Sequence, residues 1–171
     1  IDQEAELAPI IRRVAARGGV IVIPAFAIGR AQALMLHIAR LREREEIPRM
    51  PVYLNSPMAI NATRHYHAHH SEHHISDEDC KRMFDVATFV NTAEESKALN
   101  RQRWPMIIIS ASGMITGGRV LHHIEAFGTD YRNAILLAGY QAGGTRGAAL
   151  AAGKRTLRMF GREVPIRAEV V

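Results

Sequence analysis

"MIIISASGMITGGRV", residues 106–120, begins with four consecutive apolar side chains, turns polar at Ser110, places Gly113, Gly117 and Gly118 within one short stretch, and resumes an apolar pattern at Val120. Read on through "GGRVLHHIEAF" (117–127), Val120, Leu121, Ile124 and Phe127 fall on one helical face. A strand apolar on both sides, a glycine-rich turn and an amphipathic helix form the repeating unit of a parallel sheet with helices packed over it.

The same unit recurs on both sides of this stretch. "LAPIIRRVAARGG" puts Leu7, Ile10, Ile11 and Val14 on one helical face and stops at Gly18 and Gly19. "VIVIPAF" (20–26) reads as a second doubly buried strand, and "GRAQALMLHIARLREREE" follows with Ala31, Leu34, Ile38 and Leu41 at helical spacing. "PVYLNS" (51–56) predicts a strand, and Ser56-Pro57 signals a helix start, with serine as N-cap and proline where its missing N–H is not needed. "ISDEDCKRMF" predicts a short helix capped by Ser76; "ATFVN" predicts a strand, after which Thr92 and Glu95 have capping-box spacing. "NAILLAGY" (133–140) is another buried strand, and "TLRMFGREVPIRAEVV" alternates as a β-hairpin turning at Gly161 or a pair of edge strands. This alternation predicts an α/β fold: a three-layer sandwich with a mainly parallel, Rossmann-like central sheet, ending in a hairpin.

Composition sets the outer limits. At 171 residues and 47% hydrophobic content, the chain is long enough to bury one core, so a single domain over 1–171 is expected. Its net charge of +5 permits an anionic partner such as RNA without requiring one. The single cysteine, Cys80, excludes an internal disulfide framework. No apolar run approaches the roughly 18 residues of a membrane span, and "IDQEAELAPI" has no signal-peptide pattern, so a cytoplasmic protein without a membrane partner is expected.

Two stretches imitate functional motifs. "RHYHAHHSEHH" (64–74) approaches the HxHxDH pattern of metallo-β-lactamase-fold hydrolases, but His69 stands where the aspartate ligand belongs and Ser56-Pro57 starts a helix upstream. The cluster therefore reads as a solvated helix face; His65 with His69 and His70 with His74 are i, i+4 pairs able to capture a metal incidentally. "GAALAAGKRT" (147–156) imitates a P-loop, yet five residues separate Gly147 from Gly153 where the motif needs four, and Arg155 replaces the magnesium-binding hydroxyl. A small-residue helix packed on the sheet is the better reading.

Four other stretches lie just after strands, where open parallel sheets bind ligands. "PAFAIGRAQ" offers Arg30 at a helix start, and "LNSPMA" offers Ser56. "SASGMITGGRV" offers Ser110, Ser112, Gly113, Thr116, Gly117, Gly118 and Arg119, its glycines letting a ligand approach the backbone. "GYQAGGTRG" repeats the design with Tyr140, Gly143, Gly144, Thr145 and Arg146. Singly, each reads as turn glycines and helix caps; together, they point to a phosphate-binding rim.

These residues also carry a resemblance. "IPAFAIGRAQALM", "YLNSPMA", "IISASGMITGGRVLHHIE" and "LLAGYQAGGTRGAALAAGKRTLRMFGREVPIRAEV" resemble, in order, the signature blocks of the β-CASP domain, the cap of metallo-β-lactamase-fold ribonucleases such as ribonuclease J and the cleavage and polyadenylation factor endonuclease. The resemblance implies a parent that hydrolyses RNA phosphodiester bonds with two zinc ions held by its metallo-β-lactamase domain, with single-stranded RNA in the cleft between domains. It implies that the HxHxDH ligands and an acidic motif lie before residue 1 and a histidine motif beyond residue 171, so a cap fragment is expected, without catalytic or metal-binding residues of its own. His122 and His123 lie inside a predicted helix and are not assigned those roles. With Phe26 and Tyr140 the aromatics at strand ends, weak sequence preference is expected. The alternatives are an α/β domain binding a nucleotide or other small phosphate, and an RNA-binding scaffold subunit from a family member with a degenerate metal site. Oligomeric state is left open.

Overall fold

The computed structural model describes residues 2–69 and 75–171. Its elements run α1 (Gln3–Ala16), β1 (Val20–Pro24), α2 (Arg30–Glu43), β2 (Val52–Asn55), α3 (Pro57–Ala68), α4 (Asp77–Val86), β3 (Thr88–Phe89), α5 (Ala93–Leu99), β4 (Met106–Ser110), α6 (Val120–Phe127), β5 (Ala134–Ile135), α7 (Arg146–Ala151), β6 (Thr156–Met159), β7 (Arg162–Pro165) and β8 (Glu169–Val170). Six strands form one sheet in the order β3-β2-β4-β1-β5-β8, every pair parallel. The α/β sandwich read from the sequence is the fold.

The two central strands pair from Val20↔Met106 to Pro24↔Ser110. In this register Ile21, Ile23, Ile107 and Ile109 face one layer with α1, α2, α3 and α4, while Val20, Val22, Met106 and Ile108 face the other with α6 and the β6–β7 hairpin. All five residues of each strand are buried. Doubly buried parallel strands need apolar side chains on both faces, which is why these segments read as unbroken hydrophobic runs.

Differences from the sequence reading lie at the element ends. Helix α1 begins a turn earlier than the apolar spacing implies, because the Asp2 carboxylate accepts from the N–H groups of Glu4 and Ala5 and starts the helix ahead of Pro9. Helix α3 stops at Ala68 with His69 as its C-cap. His65 and His69 still meet, their ring centroids 4.4 Å apart, whereas the expected His70–His74 pair, like His73, lies outside the described residues. Strand β5 is short, although Leu136 and Leu137 extend its ladder by donating to the carbonyls of Val22 and Val171. The hairpin turns at Phe160 and Gly161, both with positive φ, as a two-residue connection requires. After it the chain returns to the main sheet as β8, where Glu169 accepts from Arg13 and from Arg17 at 2.9 Å. The P-loop imitation is helix α7 and its C-terminal turn, with Leu150 in the core. Cys80 is buried, and no helix among the described residues is long and apolar enough to cross a membrane.

The junction from α1 to β1 is the tightest backbone approach. Gly18, at φ 75°, and Gly19 return their N–H groups to Ala15 and Val14 in a Schellman arrangement. A Cβ on Gly19 would fall 1.9 Å from the Arg132 carbonyl oxygen, whereas one on Gly143 meets nothing within 4 Å. Gly19→Ala is expected to lower stability by about 1–3 kcal/mol, and Gly143→Ala to stay within about 0.5 kcal/mol of the parent. Urea melts of the two variants check this; equal midpoints would mean that the junction relaxes freely.

Candidate functional site

The chain leaves β1 toward α2 on one face of the sheet and leaves the adjacent β4 toward α6 on the other. Diverging connections open a crevice at the carboxyl ends of the two strands, the usual ligand position in such sheets. Phe26, just past β1, occupies it. A Cβ on Gly113 would lie 3.0 Å from the Phe26 nitrogen and 3.2 Å from its ring, and one on Gly139 would lie 3.7 Å from the same ring. The segments after β1, β4 and β5 thus converge on one aromatic side chain. Buried Gln32 fixes the first of them: it accepts from Gly29 N–H at 2.7 Å and donates to Ala27 O, Ala59 O and Thr63 Oγ1.

Residues 111–119 fold around Ser112. Its Oγ accepts from the N–H groups of Thr116 and Gly117 at 2.9 and 3.2 Å and lies 3.1 Å from Thr116 Oγ1. The Ala111–Ser112 peptide is cis. Ile115 has φ 58°, a conformation unfavourable for a β-branched residue, and is held there by complete burial of its side chain in the layer of α6 and the β6–β7 hairpin. Residues 139–147 close against this loop: Gly147 N–H donates to Met114 O, the Gln141 amide donates to Gly113 O and Gly139 O, and Arg146 donates to Ile115 O and Arg158 O.

Beneath the crevice lies a buried polar network. Asn55, fully buried at the end of β2, donates to Ser96 Oγ and approaches His123 Nε2 to 2.5 Å, while its Oδ1 accepts from Arg119 at 2.8 Å. Because the Asn55 amide nitrogen is a donor, His123 Nε2 accepts, so Nδ1 carries the hydrogen and donates to Asn100 Oδ1 at 2.6 Å. Arg119 also donates to the carbonyls of Val90 and Asn91, tying the start of α6 to the segment after β3.

The residues proposed from sequence separate into three groups. Ser112, Gly113, Thr116, Gly117, Gly118, Gly143, Gly144, Thr145 and Arg146 lie on the two touching loops, and Tyr140 stands beside them at 77% exposure. Ser56, Ser110 and Arg119 turn inward: Ser56 caps α3 and is buried, Ser110 donates to Asn55 O and is buried, and Arg119 belongs to the network. Arg30 stands apart, in a groove with Gln3, Glu6 and His37 between α1 and α2. Sequence reasoning missed Gln32, Asn55, Asn100 and Gln141, whose partners lie far along the chain. Among the described residues no group of three or more His, Cys, Asp or Glu side chains converges as a metal site, so the residues present do not fit the zinc centre of the resemblance.

The network makes stability depend on pH. Burial, with the positive charges of His122 and Arg119 adding to it, pushes the His123 imidazole down to about 4 from its ordinary 6.5. As pH falls below 6.5 the unfolded chain takes up a proton that the native chain refuses until about 4. Stability is therefore complete above that window and lost across it, by up to about 3 kcal/mol. In His123→Gln the loss between neutral pH and pH 4 is expected to be smaller by that amount, since carboxylate titration is common to both proteins. Denaturant melts across this range check it, and parallel stability profiles would remove His123 as the source.

Comparison with known proteins places these loops in a family. The sequence profile of the Beta-Casp domain matches residues 31–150. The chain is 36% identical over 172 residues to Ribonuclease TTHA0252 of Thermus thermophilus, covering 96% of this chain and 39% of that protein. It is 34% identical over 172 residues to an RNase J-like protein of Methanocaldococcus jannaschii, covering 98% and 39%. To Transcription termination factor FttA of Methanosarcina mazei the identity is 32% over 167 residues, covering 94% and 26%. The chain thus spans between 26% and 39% of the length of these relatives. The profile match runs from the first turn of α2 into α7 and takes in both touching loops, and on that extent the chain belongs to the Beta-Casp domain family.

Proposed function

We propose that residues 1–171 form a single cap domain that holds single-stranded RNA for a zinc-dependent, metallo-β-lactamase-fold ribonuclease acting in the cytoplasm. The observation that carries this reading is the crevice between β1 and β4, where the loops 111–119 and 139–147 meet around Phe26. Hydrolysis and its metal ions belong, on this reading, to the metallo-β-lactamase portion of the longer polypeptide, which packs across the crevice. This chain supplies affinity and register. Arg146 donates only to the carbonyl oxygens of Arg158 and Ile115, and among the described residues it forms no ion pair, so its charge remains uncompensated toward an incoming phosphate. Arg119, turned inward onto Asn55 and the carbonyls of Val90 and Asn91, holds the loop in place. Exposed Thr116, Gly118, Gly143 and Gly144 give a nucleic-acid backbone close access, while Tyr140 and the 42%-exposed Phe26 offer rings for stacking that tolerates any base. The ribonuclease and RNase J-like names of two relatives support an RNA substrate.

Gly117 provides the cleanest test. A Cβ there meets nothing within 4 Å, whereas one on Gly118, at φ 80°, would lie 2.8 Å from Ala111 O. Gly117→Leu should therefore fold as the parent does yet block approach of a phosphate to the loop. Fluorescence anisotropy with labelled oligouridylate is expected to show salt-dependent binding by the parent and at least about tenfold weaker binding by the variant, about 1.4 kcal/mol. Undiminished affinity would return these loops to the status of ordinary turns. A second expectation concerns chemistry: incubated with zinc, the 171-residue chain leaves labelled RNA intact. Metal-dependent cleavage abolished by mutating the chain's own residues would overturn the division of labour.

A further inference from the structure

Next to the crevice, between α7 and β6, lies a cavity of about 380 Å³ lined by Thr116, Thr145, Arg146, Lys154, Leu157 and Arg158 among others, with no carboxylate in its wall. Its volume is within the roughly 300–1,000 Å³ of small-ligand sites. Three cations and two hydroxyls converge here through specific backbone devices. Helix α7 ends with Gly153 at φ 94° and with Gly153 and Lys154 returning their N–H groups to Leu150 and Ala149, which reverses the chain and lays β6 alongside the helix. Strand β6 alternates, burying Leu157 and Met159 and sending Arg158 outward. Arg146 Nε donates to the Arg158 carbonyl at 2.9 Å, joining the two walls.

The charges of this cavity are scarcely neutralised. Among the described residues no carboxylate pairs with Lys154, and Arg158 approaches Glu163 only to 3.6 Å, both side chains being more than half exposed. Such an exposed pair contributes little, so an incoming anion displaces it at small cost. The cavity adjoins the crevice: Thr116, Gly144, Thr145 and Arg146 of the two touching loops also line it, and the Thr116 hydroxyl lies 3.1 Å from Ser112 Oγ inside the 111–119 loop.

We propose that this cavity is a second phosphodiester seat, with Lys154 and Arg158 as its principal cations, which receives the RNA backbone where the strand leaves the crevice past Thr116. The assignment rests on the RNA-holding reading above and adds two residues and a direction to it. A strand lying across both places presents successive phosphates to the crevice and the cavity. A ligand with a single phosphate takes the crevice, where the exposed Tyr140 and Phe26 rings add base stacking that the cavity wall does not offer.

Anisotropy titrations of the 171-residue chain at several salt concentrations test the proposal, using a long oligouridylate and a dinucleotide as probes. For the long probe, Lys154→Gln with Arg158→Gln is expected to reduce the magnitude of the log–log salt slope by about 1.4, two phosphate contacts at about 0.7 each. Affinity for the dinucleotide should stay unchanged. An equal charge loss at Lys81→Gln with Arg49→Gln should leave both probes unaffected. The second seat is overturned if the Lys154 and Arg158 variant keeps the parental slope, if both probes weaken equally, or if the control pair lowers the slope as much. Absence of RNA binding by the unmutated chain would instead overturn the RNA-holding reading and this seat with it.

Discussion

Burial of β1 and β4 on both faces is the constraint from which the rest of the structure follows. Two adjacent parallel strands with every residue buried must be covered on both sides, and chain connectivity meets that demand by sending α2 to one face and α6 to the other. Where the two connections part, the backbone leaves a crevice, and Phe26 projects into it. The same packing that excludes water from Ile21 and Ile107 thus creates a place for a ligand.

The polar network below the crevice turns this geometry into a rigid one. Asn55 uses both amide functions and its carbonyl, so a shift of β2, α6 or the segment after β3 would strand a buried donor or acceptor, at about 1–3 kcal/mol for each. Neutral His123 completes the set because an imidazole can both accept from Asn55 and donate to Asn100. A fully satisfied network of this kind specifies one arrangement of the loops above it.

Local chemistry made much of the fold legible. The runs at 20–26 and 106–112 announced doubly buried strands, and Ser56, Ser76 and Thr92 with Glu95 announced helix starts that the structure contains. Strand β8 was not legible, because two residues carry no period; Glu169 holds it through Arg13 of α1 and Arg17 just past that helix, each more than 150 residues away. The loops at 111–119 and 139–147 could be singled out by their glycines and hydroxyls, but the direction of each side chain could not. Ser110 and Arg119 look like ligand contacts in a polar turn, yet both reach Asn55, 55 and 64 residues away. A sequence displays donors at fixed spacing while the acceptors they find are set by tertiary juxtaposition. Lys154 and Arg158 were hidden for a related reason: only the reversal at Gly153 brings them beside Arg146.

The sheet also limits its own growth. Its outer strands, β3 and β8, are two residues each, against five in β1 and β4 at the centre. An edge that short offers another chain too few free N–H and C=O groups to template pairing, and Glu169 adds a charged side chain to one of them. The hydrophobic β-rich segments that drive folding are enclosed between borders too short to propagate, so the most aggregation-prone parts of the sequence are those least able to meet a second copy once the chain has folded.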